Sequence, residues 1–129
     1  MQQALMVGIG GFLGAISRYL ISGQAHKLYS GAFPIGTFLV NALGCLLIGC
    51  LMTLVETRQL FTPSMRLLVI TGFLGSLTTF STFGYETFEL LSTGKVKIAL
   101  GYVCANLVIG IGALMLSRSL VLHLFPQNQ

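Results

Sequence analysis

GFLGSLTTFSTFG, residues 72–84, lies within an apolar run long enough to cross a lipid bilayer. It nevertheless crowds Ser76, Thr78, Thr79, Ser81 and Thr82 between glycines and two phenylalanines. Hydrocarbon offers no partner to a hydroxyl or a free backbone amide, and each one left unpaired there costs on the order of several kcal/mol. These groups therefore have to face protein, water or a ligand. Gly72, Gly75 and the Ser/Thr cluster also lower helix propensity and offer the backbone alternative hydrogen bonds. The stretch thus predicts a break or unwound turn over residues 75–79. Irregular backbone at membrane depth persists where protein buries it or an aqueous path passes it, and exposed carbonyls there can coordinate a cation.

The surroundings of this stretch set the class. The chain has 129 residues, 54% hydrophobic and 8% charged, with a mean hydropathy of +0.88; an ordinary soluble domain carries roughly 25% charged residues. Such a composition predicts an integral membrane protein, and the length suits one domain, residues 1–129. The net charge of +4 arises from seven basic and three acidic side chains with no basic run. It fits loop Lys and Arg near lipid headgroups and excludes a nucleic-acid patch. Cys45, Cys50 and Cys104 are odd in number, lack metal-ligand spacing and fall in apolar spans, so they read as small core residues. The opening MQQALMVGIGG has no basic n-region or small-residue cleavage motif, and its apolar segment is expected to remain in the mature protein.

Four spans are expected, at about residues 4–22, 35–55, 67–91 and 98–122, since about 20 residues cross the hydrocarbon as a helix. In the first, Gly10 and Gly14 form a GxxxG spacing that lets another backbone approach closely. Arg18 follows one turn later, either snorkelling to the interface or tying helix ends and biasing the field toward anions. A polar connector over residues 23–33 ends at Pro34, which suits a first helical turn. Its His26 has no second ligand at metal spacing. Thr37 and Asn41 are four apart and share a face of the second span. The third span begins with LLVIT, ordinary lipid-facing material, before the polar cluster takes over. Beyond the break, Phe80 and Phe83 share a face. Thr79, Thr82 and Glu86 make one neighbouring stripe and Ser81 with Tyr85 another, while Glu86 and Glu89, in the last two turns, lie close enough to water to be ionised or to sit in a vestibule. In the fourth span, Tyr102 and Asn106 form a second polar stripe at a spacing of four.

With four spans the termini share a side, which holds Arg58, Arg66 and Arg118; the other holds Lys27, Lys95 and Lys97, with Arg18 leaning that way. Three against four is almost no positive-inside bias, so the chain can insert either way up. Paired opposite orientations would give an antiparallel homodimer with the third-span break near a two-fold axis in the membrane plane. Hydroxyls, an amide and the positive edges of phenyl rings can attract an anion, but the same lone pairs could hold a cation. No acidic residue sits mid-span, which argues against proton- or cation-coupled exchange.

The run GFLGSLTTFSTFGYE at residues 72–86, with Asn41, the GxxxR of Gly14 to Arg18, Tyr102 and four short charge-balanced spans, closely resembles the Fluc (CrcB) fluoride channels over essentially the whole chain. The resemblance implies an all-α membrane protein of four transmembrane helices with the third broken mid-membrane. It further implies a dual-topology antiparallel homodimer in the plasma (inner) membrane, with two pores that passively export cytoplasmic fluoride. It implies that Phe80 and Phe83 present ring edges to the ion and that Asn41 is a pore asparagine near the vestibule. Thr37, Ser81, Thr82 and Tyr102 supply hydroxyls, and Glu86 stands near a pore mouth. Backbone carbonyls of Gly75 and Thr78 match a central structural Na+ shared by two subunits, and Arg18 matches an arginine of structural or electrostatic role. The share of the fourth span beyond Tyr102 is left open.

Two other classes compete. A small dual-topology multidrug-type transporter needs a membrane-embedded carboxylate to exchange protons for cationic drugs, and the first span has none. In a structural membrane subunit the polar groups would only glue helices and the phenylalanine spacing would be packing. An enzyme is the least favoured class and none is expected, because neither His26 nor His123 neighbours a buried nucleophile or carboxylate cluster in sequence.

Overall fold

The computed structural model describes residues 1–126 and is all-helical over them. Helix α1 spans Gln2–Leu28 and α2 spans Ile35–Arg58. The third span opens on a short turn, α3, Pro63–Arg66, and continues as a π-helical segment, Leu67–Leu74, and one further turn, α4, Gly75–Leu77. It restarts as α5, Phe80–Ser92, and α6 follows over Val96–Leu124. Counting Pro63–Ser92 as one, four helices are long and apolar enough to cross a membrane. The protein is a multi-pass integral membrane protein.

Each helix overruns the apolar run that announces it. The 27 residues of α1 measure about 40 Å at 1.5 Å per residue, against about 30 Å of hydrocarbon. Hydropathy marks only the lipid-embedded part, whereas Gln24, His26 and Lys27 extend the same helix into the polar zone. The connections are short and chemically explicit. Gln59 ends α2 in the left-handed region (φ 51°), Thr62 accepts from the Met65 amide at 3.3 Å to cap α3, and Gly94 turns at φ 75°.

Two helix pairs carry most of the packing: α1 against the π-helical segment, and α2 against α6. The first depends on missing side chains. A Cβ on Gly10 would overlap the carbonyl oxygen of Leu68 and lie 2.9 Å from the Phe73 nitrogen, and one on Gly72 would lie 2.6 Å from the Val7 carbonyl oxygen. The backbone that the GxxxG face admits is thus that of the third span. Leu67, Leu68, Val69 and Ile70, which the sequence suggests face lipid, are half-buried: Leu68 meets Gly10 of α1, and Ile70 lines a groove with Asn41 and Phe80; hydropathy cannot tell a lipid tail from a glycine-lined helix. The α2–α6 pair uses the same device, since a Cβ on Gly49 would lie 2.6 Å from the Leu114 carbonyl oxygen.

The interior is small. Val40, Leu74 and Leu77 form one buried cluster and Leu90, Ala99 and Tyr102 another. The chain exposes 8320 Å², whereas a compact soluble chain of this mass exposes about 6,600 Å². The surplus is apolar, including Phe12, Val108, Met115 and Leu116 at two-thirds exposure or so, as expected where lipid or another protein surface covers it.

Candidate functional site

The break in the third span is two residues wide. Gly75 is helical (φ −62°, ψ −28°), while Thr78 (φ −80°, ψ 157°) and Thr79 (φ −151°, ψ 115°) are extended. Sequence placed the break at residues 75–79; its helical half is Gly75–Leu77. Threonine explains the narrow width. The Thr79 side chain caps α5 by accepting from the Thr82 amide at 3.3 Å, the favoured role of a hydroxyl at that position. Thr78 returns its own hydroxyl to the Leu74 carbonyl at 3.1 Å, closing the preceding turn.

Asn41 on α2 staples the opened backbone from across the helix interface. Its Oδ1 accepts from the Thr79 amide at 2.9 Å, and its Nδ2 donates to the Thr79 carbonyl at 3.4 Å. The amide that would satisfy the Gly75 carbonyl in an unbroken helix is therefore spent on Asn41. That side-chain amide replaces a rung of backbone hydrogen bonding, which is why the break tolerates its apolar setting.

From this staple a polar file runs along the inside of the bundle. Asn41 Nδ2 also donates to Asn106 Oδ1 at 3.2 Å, and Asn106 Nδ2 donates to the Tyr102 carbonyl at 2.9 Å. The Tyr102 hydroxyl donates to Glu86 Oε2 at 2.7 Å, and the Thr37 hydroxyl donates to Glu86 Oε1 at 2.8 Å. The three stripes read from spacing, Thr37 with Asn41, Thr79 with Thr82 and Glu86, and Tyr102 with Asn106, thus converge from three spans. Among the described residues no buried side-chain nitrogen or oxygen lacks a partner, and within residues 72–84 the Thr78, Thr79 and Thr82 hydroxyls all bond to protein.

Aromatic rings flank the file. Phe83 lies with its centroid 5.7 Å from Phe80 and 5.2 Å from Tyr102, and Phe33 meets Tyr102 edge-on at 5.3 Å and 87°. Phe80 is 83% exposed despite its size. It borders an open groove of about 390 Å³ that is also lined by Asn41, Gly75, Thr78, Phe83 and Asn106. Nearer the 29–34 and 93–95 connections, a second cavity of about 260 Å³ is lined by Phe33, Glu86, Glu89, His26 and Lys95. Glu86 therefore belongs both to the file and to a polar mouth.

Not every candidate joins this assembly. Ser81 and Thr82 are exposed on the first turn of α5, touching the file only through the Thr79 hydroxyl, at 3.5 and 2.9 Å. Arg18 is half-buried on α1, and the ion pair found among the described residues is a different one, Arg118 with Glu56 at 2.8 Å. Two participants escaped the sequence reading of the site. Asn106 was visible as half of a spacing-of-four stripe, but nothing in sequence aimed it at Asn41. Phe33 fell in the connector, where no periodicity marks a packed ring.

Residues 5–118 match the family model described as CrcB-like protein, Camphor Resistance (CrcB). The chain belongs to the CrcB family. Curated relatives agree over nearly their full length. A fluoride-specific ion channel FluC of Chloroflexus aurantiacus is 44% identical over 120 residues, covering 93% of this chain and 95% of the relative. Proteins of the same name from Clostridium perfringens and Nitratidesulfovibrio vulgaris are 43% identical over 122 residues (95% of each chain) and 46% over 111 residues (86% of this chain, 90% of the relative). The matched region contains every residue of the polar file, together with the break and its Asn41 staple.

Proposed function

We propose that this protein is a fluoride-selective ion channel that passively exports cytoplasmic fluoride across the plasma (inner) membrane, and that it is not an enzyme. The observation that carries the reading is the file from the Asn41–Thr79 staple to Glu86, built from neutral donors and ring edges, in a chain 43–46% identical to channels named for fluoride. A small anion gives up its water only where donors replace it closely. Asn41 supplies N–H groups and Ser81 and Thr82 supply hydroxyls, as do Thr37 and Tyr102 when their protons turn from Glu86 to the ion. Phe80 and Phe83 offer the positive edges of their rings. Glu86 at the mouth orients Thr37 and Tyr102 by accepting from both. Arg18 acts structurally or through its field.

The working unit in this reading is an antiparallel, dual-topology homodimer. The groove beside the break leaves Phe80 and the Asn41 staple uncovered on one chain, and a second copy is the natural cover. The near-balanced charge of the two loop sides supports insertion both ways up. Gly75 and Thr78 suit a structural Na+ between the copies: both line the groove, and Thr79's diversion to Asn41 frees the Gly75 carbonyl, a hard neutral oxygen. Such an ion would hold the two breaks together.

Reconstituted in liposomes, the protein should release fluoride far faster than chloride with no pH gradient, as read with ion-selective electrodes; equal release of both anions would defeat the assignment. Single cysteines replacing Lys27 and Gln59, which lie on opposite sides, should each be labelled by impermeant maleimide from both faces of the membrane. Labelling of each from one face alone would eliminate dual topology while leaving the transport test intact.

A further inference from the structure

We propose that Asn106 is a positioning residue for the anion path: a replaceable acceptor that holds an Asn41 N–H in place until fluoride takes it. The inference rests on the fluoride reading above and adds to it a residue of the fourth span. An amide side chain has one oxygen and two N–H groups, and in Asn41 all are engaged. The oxygen accepts from the Thr79 amide at 2.9 Å, while the nitrogen donates to the Thr79 carbonyl at 3.4 Å and to Asn106 Oδ1 at 3.2 Å. An anion that reaches Asn41 therefore meets no idle donor and has to displace one of two acceptors.

The two acceptors are unequal. Taking the N–H from the Thr79 carbonyl would loosen the staple on which the break depends. Taking it from Asn106 costs little, because Asn106 borders the open groove and its freed oxygen can accept from water without turning away. Asn106 is also held in register independently of Asn41, since its own Nδ2 donates to the Tyr102 carbonyl one turn back on α6 at 2.9 Å. It stays aimed at Asn41 after the exchange and recovers the N–H when the ion moves on. Such competition tunes affinity: conduction requires a site that binds well enough to fill and weakly enough to empty. Asn106 weakens fluoride binding at Asn41 and so speeds its departure.

The test is the dependence of initial efflux rate on fluoride concentration in liposomes, comparing the wild type with Asn106→Leu, which keeps the volume and removes the acceptor. The half-saturating fluoride concentration should fall about fivefold, the equilibrium equivalent of one competing neutral hydrogen bond, and the maximal rate should fall with it. Asn106→Ala adds no bulk and should shift the half-saturating concentration the same way, so it carries the test should the leucine variant fail to assemble. An unchanged or raised half-saturating concentration overturns the proposal, including the case where only the maximal rate drops, as a purely structural role predicts. Wild-type vesicles that pass no fluoride would instead defeat the channel reading itself, an outcome visible before any variant is compared.

Discussion

Gly10→Val should abolish assembly of the protein, while Gly8→Ala, two residues away, should leave it intact. Both glycines lie in the same apolar helix, and their surroundings separate them. Nothing lies within 4 Å of a Cβ built on Gly8, whereas one on Gly10 overlaps the Leu68 carbonyl oxygen and lies 2.9 Å from both the Leu68 carbonyl carbon and the Phe73 nitrogen. Those atoms are backbone, so no rotamer change relieves the clash, and α1 has to move off the π-helical segment. Overpacking that side chains can absorb costs about 1–3 kcal/mol; a collision of a side chain with a neighbouring main chain exceeds that range. In lipid, where close backbone approach and van der Waals packing hold helices together, nothing replaces the lost contact. The measurement is the monodisperse yield in mild detergent, with thermal unfolding of whatever is recovered. A Gly10→Val protein as stable as the wild type would mean that α1 does not lie against residues 68–73.

Gly10 and its neighbour one turn on, Gly14, mark what the sequence can and cannot reveal. The spacing of Gly10 and Gly14 announces a close backbone neighbour, because only glycine permits one, but it cannot name the neighbour. LLVIT looked lipid-facing for that reason: a leucine against a smooth glycine face and a leucine against lipid have the same hydropathy. Spans are legible because burial in hydrocarbon acts on each helix separately. The break is legible because Ser, Thr and Gly act on the local backbone; its width is not, since beside the Thr78 and Thr79 hydroxyls it is held from another helix, by Asn41 through the Thr79 amide. Stripes such as Thr37 with Asn41 and Tyr102 with Asn106 fix which side chains share a face. The rotation of each helix about its axis decides whether two such faces meet, and that angle depends on all the packing at once. Asn106 was accordingly visible as polar but not as Asn41's partner, and Phe33, in an aperiodic connector, carried no signal.

Phe80→Ile and Phe83→Ile should each lower fluoride flux by about tenfold or more while the protein still assembles, and the reasons differ between the two rings. Phe83 packs between Phe80 and Tyr102, at 5.7 and 5.2 Å. Isoleucine there forfeits two aromatic contacts, each worth about 0.5–1.5 kcal/mol beyond area burial, and lets the Tyr102 ring drift from its hydrogen bond to Glu86. Phe80 has no such duty within one chain: at 83% exposure its replacement removes almost no internal packing, so stability of the single chain is expected to change little. Any large loss of flux in Phe80→Ile therefore has to come from what the ring meets in the groove, the ion or the proposed second copy. Isoleucine has comparable bulk but no positive ring edge to present to an anion, and about 1.4 kcal/mol of lost stabilisation is a tenfold rate change. Comparing flux with dimer content in detergent separates the possibilities. Low flux with the dimer preserved assigns the Phe80 ring edge to the ion; low flux with the dimer lost assigns it to the contact between copies. Full flux in both variants would remove the aromatic rings from the conduction path and leave Phe83 as packing for Tyr102.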